Sequence, residues 1–130
     1  DVGIKWSADE GELSYVRGYM ILTARDAGLE PPIDTVHIDL KDEDSFEESV
    51  KTGVKYGFQG KLCIHPKQVP SVNQGYMPDA AEIDRAEKII AAFEAAEASG
   101  SASIQVDGYF IDYPIVEKAY AIRRLAETYS

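Results

Sequence analysis

Two short segments, IDTVHIDL at residues 33–40 and KLCI at 61–64, are the only stretches of this chain that read as buried parallel strands. A pair of strands can neither close a barrel nor shield its own edges. That restriction governs everything else in the sequence. In 33–40, Val36, Ile38 and Leu40 share one side and Thr35, His37 and Asp39 the other, the period-two pattern of a strand.

Helical segments alternate with these strands. Residues 7–28, SADEGELSYVRGYMILTARDAG, read as an amphipathic helix with Ser7 and Glu10 as a capping box. Leu13, Val16, Met20, Ala24 and Ala27 fall on its apolar face, and Gly28 ends it. A second helix follows in KDEDSFEESVKTGVKYGF, capped by Asp44 or Ser45, with Phe46, Val50 and Val54 inward. Helix, strand, helix, strand with short connections is the order that builds a parallel α/β sheet. The simplest expectation is the closing part of a larger α/β fold whose other strands precede Asp1.

Beyond residue 68 the pattern changes. A short helix is expected over 68–74 and a long one from Pro78 to about Ser99, with Ile83, Ala86, Ile90 and Phe93 buried. SIQVDGYFID reads as a hairpin, because Asp-Gly between short apolar runs favours a two-residue turn. Pro114 suits the first turn of a final helix packed through Ile115, Ala119, Ile122 and Leu125. The change near Pro78 divides the chain into 1–77 and 78–130.

Composition narrows the function classes. A formal charge of −10 argues against a phosphate-backbone binder, which relies on lysine and arginine. No apolar run approaches the roughly 20 residues that span a bilayer. The chain opens at Asp1 rather than at a methionine, so a processed chain or part of a longer one is expected. The single cysteine, Cys63, lies in an apolar strand and reads as a structural thiol in a reducing, cytoplasmic setting. Asp42, Glu43 and Asp44 lack the glycine and distal glutamate of a calcium loop, and no cluster has metal-ligand spacing.

Three runs in order, IDTVHIDLKDED, YGFQGKLCIHPKQVPSVNQGYMP and VDGYFIDYP, resemble the carboxyl-terminal part of the HpcH/HpaI aldolase and citrate lyase β-subunit-like family. The resemblance extends over nearly the whole chain. It implies a (β/α)8 TIM barrel whose strands seven and eight are residues 33–40 and 61–65, followed by a helix–hairpin–helix extension. It also implies Mg²⁺-dependent carbon–carbon cleavage of β-hydroxyacyl thioesters, on coenzyme A or acyl carrier protein, by trimers or hexamers. Neither nucleic acid nor membrane is expected as a partner. The metal ligands and the substrate-binding arginine would lie upstream, so the 130-residue chain alone is expected to be inactive.

The same resemblance assigns residues. Barrel chemistry sits at the carboxyl ends of the strands, which places His65 and Pro66 at the mouth of the last one. Ile64, His65, Pro66 and Gln68 are the expected coenzyme A contacts. Read without the family, His65 merely caps a strand end, and Asp112 before Tyr113-Pro114 is a helix cap. With it, Asp112 becomes the acid/base group, supplied to a neighbouring subunit. His37 is expected to be a satisfied interior residue and Asp39 to face the interior or the rim. Three functional classes follow: a lyase for citramalyl- or malyl-CoA, a citryl lyase on acyl carrier protein, and a non-catalytic oligomerisation or regulatory module.

Overall fold

A computed structural model describes residues 3–100 and 104–128. The chain divides into two compact units, Asp1–Tyr76 and Met77–Ser130.

In the first unit, a 3-10 turn at Gly11–Leu13 leads into α1, Ser14–Asp26. The expected capping box is absent. Glu10 instead takes a left-handed φ of 52° and turns its carboxylate inward, while Ser7 binds Glu12 through its backbone N–H (2.7 Å) and its hydroxyl. The inward face of α1 also differs. Leu13 and Arg17 are buried and Ile21 and Ala24 half-buried, whereas Val16 and Met20 are exposed. Arg17 is drawn inward by two carboxylates, and that rotates the helix away from its purely apolar phase.

Strands β1, Ile33–Asp34, and β2, Gly60–Lys61, pair in parallel, Ile33 opposite Gly60 and Asp34 opposite Lys61. Both are far shorter than the expected 33–40 and 61–65. Backbone bonds flank the pair at both ends, from Gln59 N–H to the Pro32 carbonyl (3.1 Å) and from Leu62 N–H to the Asp34 carbonyl (3.0 Å). Farther along, the Gln68 side chain takes Ile64 N–H, which a longer ladder would use, together with His65 N–H and the His37 carbonyl. Between the strands, α2 spans Glu43–Tyr56; its cap is Asp42, which accepts from Ser45 N–H (3.0 Å). Acidic Glu43 and Asp44 sit in the first turn, where the helix dipole favours them. Phe46, Ser49, Val50 and Gly53 are buried, and Val54 is exposed instead of inward. Gly57, at φ 97°, ends the helix in a conformation that suits glycine. Helix α3, Gln68–Tyr76, closes the unit, and Phe46, Val50 and Val72 form its apolar core with Cys63 and Tyr76 against it.

The second unit opens with α4, Ala80–Ser99, which begins at a full capping box between Asp79 and Glu82. Strands β3, Ile104–Val106, and β4, Tyr109–Ile111, pair antiparallel around Asp107-Gly108, both at positive φ as a two-residue I′ turn requires. Ser103, expected in the hairpin, lies outside the described residues. Helix α5 runs Tyr113–Thr128 with Pro114 in its first turn. The core joins Ala86, Ile89, Ile90, Ile111, Val116 and Ala119. Ile115 and Leu125 stand outside the buried stripe expected of α5, and Val116 takes the inward place. Among the described residues no helix is long and apolar enough to cross a membrane.

Candidate functional site

Beneath the parallel pair lies a buried charge network. Asp34, on β1, accepts from Arg17 Nε (3.0 Å) and Nη2 (3.0 Å) and from Lys61 Nζ (3.0 Å). Glu10 accepts from Arg17 Nη2 (2.6 Å), Ser49 Oγ (2.8 Å) and the His37 ring at Nδ1 (2.9 Å). Two carboxylates face two cations, so the formal charges balance with His37 neutral. Burial pushes the Asp34 carboxyl up, but hydrogen bonds from Arg17 and Lys61 outweigh it and hold the group below its usual range. Burial likewise opposes ionisation of Glu10, and its bonds to Arg17, His37 and Ser49 reverse the direction. Tyr76, whose buried hydroxyl has no hydrogen-bond partner among the described residues, is pushed above the usual tyrosine range by burial and then by Asp34.

His37 couples this network to the strand ends. Because an ionised carboxylate only accepts, the Glu10 contact places a proton on Nδ1 of His37. Nε2 meets Ser45 Oγ at 3.0 Å, and the His37 carbonyl accepts from Gln68 Nε2 (3.3 Å). Gln68 Oε1 in turn accepts from Ile64 N–H (2.9 Å) and His65 N–H (3.2 Å). Thus the expected interior role of His37 holds, while Asp39 lies exposed and accepts from Lys41 N–H (2.8 Å).

A cleft of about 260 Å³ opens over this junction. Asp39 and Leu40 form one wall, Asp42, Glu43, Phe46 and Glu47 of the α2 start another, and His65, Lys67, Gln68 and Ser71 the third. Of the four expected contact residues, His65 and Gln68 line it; Ile64 and Pro66 flank it without doing so. His65 Nδ1 accepts from Lys67 N–H (3.1 Å). The neutral ring therefore carries its proton on Nε2, which makes that atom a donor. Carboxylates of Asp39, Asp42, Glu43 and Glu47 outnumber the Lys67 cation around the opening.

Asp112 belongs to the second unit. It is exposed, and its Oδ1 accepts from Ile115 N–H (3.2 Å) at the start of α5, so it serves as the cap that residue chemistry alone implies. Among the described residues no group of three or more His, Cys, Asp or Glu side chains could hold a metal ion, so these residues do not by themselves fit Mg²⁺.

The family model for HpcH/HpaI aldolase/citrate lyase matches residues 1–66. The chain is 38% identical to citrate lyase subunit beta of Leuconostoc mesenteroides subsp. cremoris over 118 residues, 91% of this chain and 39% of that protein. It is 34% identical to mitochondrial citramalyl-CoA lyase of Rattus norvegicus over 125 residues, 96% of this chain and 37% of that one. It therefore spans well under half the length of these relatives. Its fold matches the crystal structure of CitE from Mycobacterium tuberculosis in complex with magnesium, acetoacetate and coenzyme A, with a TM-score of 0.74 and 26% identity. That match covers 96% of this chain and 46% of the other. A mixed α/β chain with the fold and sequence of these proteins, it belongs to the HpcH/HpaI aldolase/citrate lyase family.

Proposed function

We propose that the whole protein is a carbon–carbon lyase that cleaves a β-hydroxyacyl-CoA, citramalyl-CoA or malyl-CoA, to acetyl-CoA and a 2-oxo acid. On this reading β1 and β2 are strands seven and eight of a TIM barrel, and the second unit is its carboxyl-terminal extension. The protein is cytoplasmic and homo-oligomeric. The observation that carries the reading is the cleft at the carboxyl ends of the two parallel strands, where His65 supplies an Nε2–H donor.

The cleft is smaller than the roughly 300–1,000 Å³ typical of whole-ligand pockets. It takes part of the thioester carrier, an extended amide-bearing arm, with the His65 donor directed to a carbonyl oxygen. Four carboxylates at the opening repel phosphates, so the anionic end of the carrier lies on the Lys67 side. Ile64 and Pro66 hold the backbone of that wall. Asp112 acts as acid/base in a neighbouring subunit's site: it removes the hydroxyl proton, and a proton returns to the enolate carbon. A cap and an acid/base role are compatible, because the cap uses only one carboxyl oxygen. Mg²⁺, which residues elsewhere in the whole protein would hold, would supply Lewis-acid stabilisation of the developing oxyanion.

Citryl cleavage on acyl carrier protein is the second reading, favoured by the likeness to citrate lyase subunit beta. The test is turnover of citramalyl-CoA, malyl-CoA and citryl-acyl carrier protein by the whole protein and by Asp112→Asn. Cleavage of a coenzyme A ester that falls at least about a hundredfold in Asp112→Asn, with folding intact, supports the proposal. Undiminished turnover in the variant removes Asp112 from the chemistry. Absence of cleavage with every substrate leaves the non-catalytic module as the better reading.

A further inference from the structure

We infer that Gln68 is a positioning residue: its side-chain amide stands in for the missing rung of the β1–β2 ladder and so sets the His65 wall of the cleft. The inference rests on the reading of that cleft as the thioester-carrier site.

The register makes the substitution visible. Ile33 lies opposite Gly60 and Asp34 opposite Lys61. Because Asp34 lies opposite Lys61 but its carbonyl bonds Leu62 N–H, the next rung of a longer parallel ladder would run from Ile64 N–H to the Val36 carbonyl. No such rung forms between them; Gln68 intervenes. Its Nε2 donates to the His37 carbonyl, and its Oε1 accepts from both Ile64 and His65 N–H. The side chain is buried, at 6% exposure, so its amide is committed to the backbone although the residue lines the cleft.

Both ends of this bridge matter. On one side His37 is fixed through Glu10 and Ser45, and Glu10 is fixed by Arg17 and Ser49. Thus the His37 carbonyl is anchored to the buried charge network rather than to a mobile loop. On the other side the two captured amides belong to Ile64 and His65, which lie in neither helix nor strand. Chain folding back from His65 is itself tightened by Gln68 N–H donating to the His65 carbonyl (3.0 Å). Gln68 therefore holds His65 at its N–H and its carbonyl, and its effect on ligand binding is exerted through His65.

Site-resolved amide exchange on the whole protein tests this without any variant. The Ile64 and His65 amides should exchange at least about tenfold more slowly than unprotected amides, the factor for a typical hydrogen bond. Unprotected amides at both positions overturn the inference, even if no variant folds. In Gln68→Met both amides should exchange about tenfold faster, and Gln68→Glu, which keeps an acceptor for them but cannot donate to the His37 carbonyl, should restore them only in part. Titration with coenzyme A separates the two claims. Weaker coenzyme A binding in Gln68→Met with unchanged exchange makes Gln68 a ligand contact and overturns the positioning role. Faster exchange with unchanged coenzyme A binding supports positioning and removes the carrier from this cleft.

Discussion

Asp34→Asn should be among the most destabilising single substitutions in the first unit. Asp34 accepts three hydrogen bonds, two from Arg17 and one from Lys61, whose side chain is 0% exposed. Asparagine keeps the shape but removes the charge, leaving two buried cations opposite Glu10 alone. Breaking a buried pair by removing one partner costs about 3–5 kcal/mol. With a urea slope near ~2 kcal/mol/M, the denaturation midpoint should fall by at least about 1.5 M. Lys51 and Glu48, 66% and 70% exposed and paired at 2.6 Å, provide the control. Glu48→Gln should cost under about 1 kcal/mol. The double variant Asp34→Leu/Lys61→Met leaves Arg17 facing Glu10, a balanced pair, and should recover part of the loss. Should Asp34→Asn prove as mild as Glu48→Gln, the network is not the dry, mutually dependent cluster described here.

Acidification provides a related prediction. Because the folded-state values of Asp34 and Glu10 lie below their ordinary ones, their stabilisation is fully present above about pH 4 and is lost as pH falls through the folded values. Urea midpoints measured from pH 7 to pH 2 should therefore decline below about pH 4, and less steeply in Asp34→Asn. Gly53→Ala should cost about 1–3 kcal/mol in the same assay, because a Cβ there meets the Tyr76 hydroxyl and comes within 3.1 Å of Asp34 Oδ2. A neutral result would mean that α2 can shift away from β1 freely.

How far the residues alone could lead depended on whether one interaction dominated locally. The Asp107-Gly108 turn and the glycine at 57 are backbone demands, legible without any tertiary partner. Asp112 as a cap is equally local. Helix faces were less legible wherever a charge entered the core. Arg17 displaces Val16 and Met20 from the inward face of α1 because its partners Asp34 and Glu10 are distant in sequence. A hydrophobic period cannot announce such a pairing, although Arg17, Asp34 and Lys61 on otherwise apolar elements form a charge-complementary set. The strands were overestimated for a comparable reason. Apolar alternation marks 33–40 as extended, but Gln68 captures Ile64 N–H, the next group that pairing would have used, along with His65 N–H and the His37 carbonyl. In the cleft, the motif located His65 and Gln68, while Asp42, Glu47 and Lys67 became visible only once α2 and the 64–68 turn were brought together.

In the proposed function His65 presents a donor to the thioester carrier in the strand-end cleft. Steady-state kinetics of His65→Ala in the whole protein, with the coenzyme A ester that the wild type cleaves, address that directly. The expected result is a KM raised about tenfold with kcat within about twofold of wild type, the pattern of a lost binding contact away from the reacting atoms. An unchanged KM would place the carrier elsewhere and contradict the assignment of this cleft.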